Sequence, residues 1–300
     1  MKYIKKFDRH ADYEAYINGG GAVLPNVSYC VDLNEVHFNK YTPQPETRIV
    51  ATFNVTDTTN PTDIVGFYED KTGNIYFTSL FESIEIDGIL QNSVVGYYQF
   101  DTIGEHTIKY TLTDPTSIGL SAFQGCTGLT SVTIPSGVTS IGQFAFQGCT
   151  GLTSVTIPSS VTSIEKDVFG DCTGLTSVEL SNNLTSINEY AFNGCRSLTL
   201  IEIPSGVTSI GLSAFNSCTG LTSVTIPSGV TSIGQFAFYG CTGLTAFTTY
   251  ATTPPTLSGG SVLTNTNDCP IYVPSTSVSA YQSASGWNTY ASRIQAIPTA

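Results

Sequence analysis

Apolar positions recur every 23 residues through the middle of this chain. Phe123, Phe146, Phe169, Phe192, Phe215 and Phe238 form one column, and Cys126, Cys149, Cys172, Cys195, Cys218 and Cys241 form a second. Ile118, Ile141, Ile164, Ile187, Ile210 and Ile233 make a third, and Leu129, Leu152, Leu175, Leu198, Leu221 and Leu244 a fourth. Six consecutive rows hold this register without insertion or deletion. Within a row, LTSVTIP sets Leu129, Val132 and Ile134 in an L-x-x-L-x-L spacing. Val132 and Ile134 share one face of a strand, while Ser131 and Thr133 project from the other. Pro135 ends the strand because it has no N–H to donate to a ladder. Gly137 supplies a turn, and SAFQG predicts a short helical or 3-10 arm whose Phe fills the space behind the sheet. One row cannot bury its own apolar face, so rows must stack. The predicted fold class is a repeat solenoid with a parallel β-sheet along one side, about 30 Å long at about 4.8 Å per strand.

Outside the rows the pattern changes. Residues 8–18, DRHADYEAYIN, suit a short helix, VSYCVDLNEVHFN suits a hairpin, and Pro43 and Pro45 mark a linker. From Arg48 the chain alternates in short strands (RIVATFNV, DIVGFY, NIYFTSLF, SIEIDG, SVVGYYQF, HTIKYTL) broken by turn signals such as Asp87-Gly88. The resulting organisation is an N-terminal helix and hairpin segment over 1–45, a small β-sandwich-like capping domain over 46–115, six rows over 116–250 and a C-terminal capping segment over 251–300. In the last, Ile271, Val273 and Pro274 repeat the spacing of Val132, Ile134 and Pro135 and predict one last strand. SVSAYQSA and NTYASRIQAI then predict short helices that cover the open end, with Trp287 between them.

The phrase SIG..AF.GCTGLTSVTIPSGVT resembles the Treponema-type leucine-rich repeat of BspA-like surface proteins of anaerobic bacteria, and the closing segment resembles the ends of such proteins. That resemblance implies a leucine-rich-repeat solenoid and a non-enzymatic role in adhesion, to host matrix proteins such as fibronectin and fibrinogen or to other cells. It places the protein at the cell surface or outside the cell. The N-terminus carries basic residues without an apolar run behind them, so it does not read as a signal peptide and leaves the cytoplasm open as a compartment. An intracellular or phage-associated spacer is the alternative expectation. CTGLTSVTIPSGVTSIGQFAF occurs identically at 126–146 and 218–238, four rows apart, which is what duplication of whole rows produces.

Charge narrows the partners. The net charge is −12 over 300 residues. Residues 1–115 carry 8 Lys+Arg against 16 Asp+Glu (−8), and residues 116–250 carry 2 against 6 (−4). Nucleic acid is excluded as a partner on that sign. No apolar stretch is long enough to span a bilayer as a helix, so no membrane insertion is expected. Protein or glycan remains. The six register cysteines would stand roughly 5 Å apart with parallel Cβ vectors, which suits a ladder of buried free thiols rather than disulfides. Cys30 and Cys269 stand outside the register.

Candidate chemistry is sparse. His10, His37 and His106 share no motif and read as solvated surface residues. No nucleophile motif, metal-ligand spacing or phosphate-binding loop occurs, so no catalytic residue, metal ligand or cofactor is expected. The outward sheet positions carry the candidate partner-binding residues. They are Thr130, Thr153, Thr176, Thr199 and Thr222 in one column, and Thr133, Thr156, Glu179, Glu202 and Thr225 in another. Glu179 and Glu202 fall on adjacent rows and should oppose each other across paired strands. Phe144, Tyr190 and Phe236 replace Ser or Asp in one arm column and are candidate contacts for another protein.

Overall fold

The computed structural model describes residues 30–31, 36–37, 48–66, 68–69, 75–76 and 80–298. The helix expected over 8–18, the linker at Pro43 and Pro45, and the side chains of His10, Cys30 and His37 lie outside the described residues. The chain divides into two compact units, Met1–Glu46 and Thr47–Ala300. In the first, Cys30–Val31 pairs antiparallel with Val36–His37.

The rows stack, each laid on the last. Ser131 pairs with Ser154 and Ser154 with Ser177, a displacement of 23 residues each time, in parallel ladders. A second set of short parallel strands joins Ser163, Ser186, Ser209 and Ser232 in the same register. The Leu129, Ile118, Phe123 and Cys126 columns are all buried, with every member of the four columns at most 2% exposed. The six phenylalanines stack with ring centroids 5.2–5.5 Å apart and planes within 10° of parallel. Each arm is a succession of i to i+3 turns, as in Gln124 N–H to Ser121 O and Cys126 N–H to Phe123 O. A left-handed residue in each arm (Ser121, Phe144, Asp167, Tyr190, Ser213, Phe236) stops those turns from running on as a helix.

The cysteines form the expected ladder. All seven described cysteines are free and buried. From Cys149 to Cys241, each Sγ–H donates to the carbonyl of the Phe 26 residues earlier at 3.0–3.1 Å, which aims the thiols along the stack rather than at one another. Burial pushes Cys172 and Cys241 up to about 12 and Cys126, Cys149, Cys195 and Cys218 well above the ordinary thiol range, so these six form no thiolate near neutral pH.

At the N-terminal end, Arg48–Val55 pairs antiparallel with Leu129–Thr133 of row one. Gly104–Leu112 and then Phe81–Ile86 continue the same sheet outward, and Thr62–Asp63 with Tyr97–Tyr98 forms a small second layer. Tyr110 is fully buried, donates its hydroxyl to Ile64 O at 2.6 Å and meets Phe123 edge-on at 5.0 Å, so its core runs on into the phenylalanine stack. Gly66 permits this contact. Its N–H reaches Ala122 O at 2.8 Å, and a Cβ there would lie 2.0 Å from Ser121 O.

At the other end Ile271–Val273 pairs with the row-six strand Ala246–Thr249, as its spacing predicts. It is not the last strand, however. Ile294–Ala296 adds a further parallel strand beyond it, because Ile294 supplies the one buried side chain that the exposed edge needs. Helix Val278–Ser283 and the 3-10 segment Trp287–Arg293 lie over the end, with Trp287 fully buried and its Nε1–H on Pro255 O at 2.7 Å.

Candidate functional site

The strand phrase LTSVT decides what the outward face presents. Its Leu and Val point into the core, so the intervening hydroxyls must either bond within the stack or face solvent. The two threonine columns split along this line. In the first, Thr130 donates its Oγ1–H to Thr52 O at 3.1 Å, Thr153 to Thr130 O at 3.2 Å, Thr176 to Thr153 O at 3.0 Å and Thr222 to Thr199 O at 3.2 Å. These hydroxyl protons are committed to the stack. Thr130, Thr153, Thr176 and Thr222 are therefore rungs that hold neighbouring rows, and they offer a partner at most a lone pair.

The second column is open. Thr133, Thr156, Glu179, Glu202 and Thr225 are all exposed. Among the described residues, the only side-chain bond within it is Thr156 Oγ1–H to Glu179 Oε2 at 3.2 Å. Leu200 joins this face where four of the other rows carry Ser and the last carries Ala246, and it is 54% exposed. Sequence reasoning passed over Leu200, although LTLIEIP against LTSVTIP marks it.

Glu179 and Glu202 do not oppose each other across a ladder, contrary to the expectation. The sheet lapses between them. Ser177–Glu179 is an edge of its sheet, and Thr199–Ile203 belongs to no strand. The rung that rows one to three make, Thr153 N–H to Thr130 O and Thr176 N–H to Thr153 O, has no counterpart from Thr199 to Thr176. A cleft of about 710 Å3 opens there, with Val178, Leu200, Ile203 and Pro204 on its walls and Glu179 and Glu202 on its two banks.

The arm aromatics take a different position. Phe144, Tyr190 and Phe236 are half-buried and have φ of 59°, 58° and 59°. The same column holds Ser121, Asp167 and Ser213, so the fold asks for a left-handed residue here, and a bulky side chain is the less comfortable choice. The Lys166 ammonium lies 5.8 Å from the Tyr190 ring centre, and Phe236 meets Tyr239 edge-on at 5.6 Å. These rings stand on the arm side, behind the sheet, and do not belong to the threonine face.

His106 corrects the expectation of a solvated histidine. It is buried, with Nδ1–H on Asp87 Oδ2 at 2.7 Å and Nε2–H on Thr102 O at 2.9 Å. Two acceptors call for two ring protons. Burial opposes the charge, but the Asp87 hydrogen bond, the Thr102 carbonyl and the Asp87 charge together raise its proton affinity above the ordinary histidine range. With Nε2 held on a carbonyl, the pair is a structural clamp on the turn at Asp87. Among the described residues no cluster of His, Cys, Asp and Glu could hold a metal ion, and no helix is long and apolar enough to cross a membrane.

Residues 116–245 match, in six copies, the family model described as BspA type Leucine rich repeat region. Repeats of this family are non-enzymatic protein-interaction modules, and its members are typically surface proteins. A leucine rich repeat protein of T. pallidum is similar over 44% of this chain and 58% of its own, at 34% identity and a TM-score of 0.37. This chain thus spans under two thirds of that protein's length. A leucine-rich repeat protein of Bacteroides ovatus is similar over 70% of this chain and 69% of its own, at 21% identity and a TM-score of 0.36. A leucine rich cell surface protein of Faecalibacterium prausnitzii is similar over 58% of this chain and 79% of its own, at 23% identity and a TM-score of 0.22. No curated protein matches the chain.

Proposed function

Residues 116–245 belong to the BspA-type leucine-rich repeats, and on that premise we infer that the protein is a bacterial cell-surface adhesin that recognises a host matrix protein or another cell surface. The observation that carries this reading is the unequal use of the two threonine columns. In one column Thr130, Thr153, Thr176 and Thr222 commit their hydroxyl protons to the stack, whereas the exposed Thr133, Glu202 and Thr225 make no side-chain hydrogen bond among the described residues and share their face with an exposed Leu200. A row of available polar groups with an apolar residue among them is the composition of a protein-binding face. Phe144, Tyr190 and Phe236 form a second candidate contact line, since large rings kept at left-handed positions are paid for in backbone strain.

The test is binding of the full chain to immobilised fibronectin, fibrinogen and a glycan panel, with Thr133→Arg and Thr225→Arg on the sheet face and Tyr190→Ser on the arm. Loss of binding at least tenfold in the sheet-face pair, with an unchanged melting temperature, supports that face. Retained affinity in the pair and loss in Tyr190→Ser moves the contact to the arm. Protease shaving of intact cells tests the compartment, and an array untouched by protease in cells that make it sinks the adhesin reading.

A further inference from the structure

The cleft between rows three and four has a cause in one residue. Every other row from two to six carries glycine three residues before its strand: Gly151, Gly174, Gly220 and Gly243. A Cβ added at those positions would lie 2.5, 2.3, 2.6 and 2.4 Å from a backbone carbonyl oxygen of the preceding row. Row four carries Ser197 instead. Its Cβ cannot share that space, so the strand that follows must stand off from row three. The missing rung from Thr199 to Thr176 and the loss of strand over Thr199–Ile203 are where this displacement falls.

The opening is confined. Rows three and four stay joined by Ser163–Ile164 against Ser186–Ile187, by Thr185 N–H to Thr162 O at 2.9 Å, and by Phe169 N–H to Ala191 O at 2.9 Å and Asp171 N–H to Asn193 O at 2.7 Å in the arms; past the strand, where the chain enters row five, Thr208 N–H bonds Thr185 O at 2.9 Å. Only the sheet side parts. The result is a slit of about 710 Å3 with a strand edge exposed on its row-three bank, apolar walls and a carboxylate on each bank. Within the repeats, Lys166 and Arg196 are the only cations against six carboxylates.

We propose that this slit is a docking site for an extended, lysine- or arginine-bearing segment of a partner protein, which adds its backbone to the open strand edge and its cations to Glu179 and Glu202. The mode is strand addition: main-chain hydrogen bonds hold the segment, and alternate side chains set its identity. Val178 and Leu200 receive the apolar side chains of the segment between its cations. The acidic banks select against an acidic segment and against a second copy of this chain, whose net charge is −12. This site deepens the binding-face reading and rests on it for the existence of a protein partner.

Full-length protein is titrated with a fluorescein-labelled ten-residue peptide alternating lysine and valine, and with its glutamate–valine counterpart. The lysine peptide is expected to bind at least tenfold more tightly, with affinity falling as salt rises. Ser197→Gly is expected to close the slit, weaken lysine-peptide binding at least tenfold and raise the melting temperature, because it restores the glycine that the other rows use. Amide exchange at Thr199 should be fast in the native chain, and slow both in Ser197→Gly and in the peptide complex. Glu179→Gln with Glu202→Gln should reduce peptide affinity while leaving Thr199 exchange fast. Equal peptide binding by the native chain and Ser197→Gly overturns the site, and so does equal exchange at Thr199 in the two. A concentration-dependent dimer that Ser197→Gly abolishes, without lysine-peptide binding, overturns the basic-segment assignment in favour of a second copy. In each of these failures the binding-face reading stands or falls separately, by the matrix-protein assay with Thr133→Arg and Thr225→Arg.

Discussion

Asp167 sits in the left-handed arm column, φ 58°, where its row neighbours are Phe144 and Tyr190. One carboxylate oxygen accepts from Gln147 Nε2 at 2.9 Å, and the other is buried without a partner. That second oxygen occupies the space where a Cβ of residue 170 would stand, which explains why Gly170 replaces the Gln, Asn or Tyr of other rows. Burial, and then the nearby Asp171, raise its pKa to about 6, against a smaller opposing pull from Lys166. The folded state therefore holds this proton more tightly than the unfolded chain does. Stability is full below the ordinary carboxylate value of 3.8 and declines as pH rises to about 6, after which the loss is constant. Asp167→Asn, which keeps the left-handed backbone and the Gln147 bond, should raise stability at pH 7 by about 1–2 kcal/mol after allowance for its partial solvent access. Below pH 4 the gain should vanish, and thermal melts at pH 3.5 and pH 7 check both halves. The thiols give a second prediction at this scale. The seven described cysteines should resist a thiol reagent in the native state and react after denaturation without reductant, and a count near zero after denaturation would overturn the free-thiol ladder.

At the scale of elements, a row is held by three kinds of contact that the period repeats: the phenylalanine stack, the thiol-to-carbonyl ladder and the threonine rungs. Truncating one ring in the middle of the stack leaves neighbours on both sides without a partner. Phe169→Ala should therefore destabilise by about 3–5 kcal/mol, measurable by urea unfolding. Removing one rung costs far less. Thr153→Val keeps the shape and the strand propensity and deletes one hydroxyl bond, worth about 1 kcal/mol. We propose that the strands over 46–115 act as the N-terminal cap, and Arg48–Val55 carries the burden because it covers the edge of Leu129–Thr133. Thr52→Pro removes an amide from a strand paired on both sides, so it should uncover row one and cause association that size-exclusion chromatography detects.

Over the whole molecule, legibility in sequence followed the period. The Phe, Cys, Ile and Leu columns were readable because each residue repeats the environment of the one 23 earlier, so burial of one implies burial of all. The closing strand at Ile271 was readable for the same reason, whereas Ile294–Ala296 was not, because IQA lacks the row phrase. The parting of rows at Ser197 escaped notice because a glycine's necessity lies in the distance to another row's carbonyl, which no single row displays. Its signal was there as the one serine in a glycine column. His106 escaped because its partner Asp87 lies in the turn that follows a neighbouring strand, 19 residues away. The same period governs what length changes the stack tolerates. Deleting residues 209–231 removes one complete row and joins row four to row six in register, with Phe192 brought against Phe238. Deleting 209–230 leaves one residue too many, so every later strand slips and its apolar set turns outward. The 23-residue deletion should fold cooperatively with a modestly lowered melting temperature, as the loss of one repeat and one interface requires. The 22-residue deletion should lose cooperativity or aggregate, and differential scanning calorimetry on the pair separates the outcomes. If both melt alike, the stack would not depend on register, and the rungs and rings described above would not be what holds it.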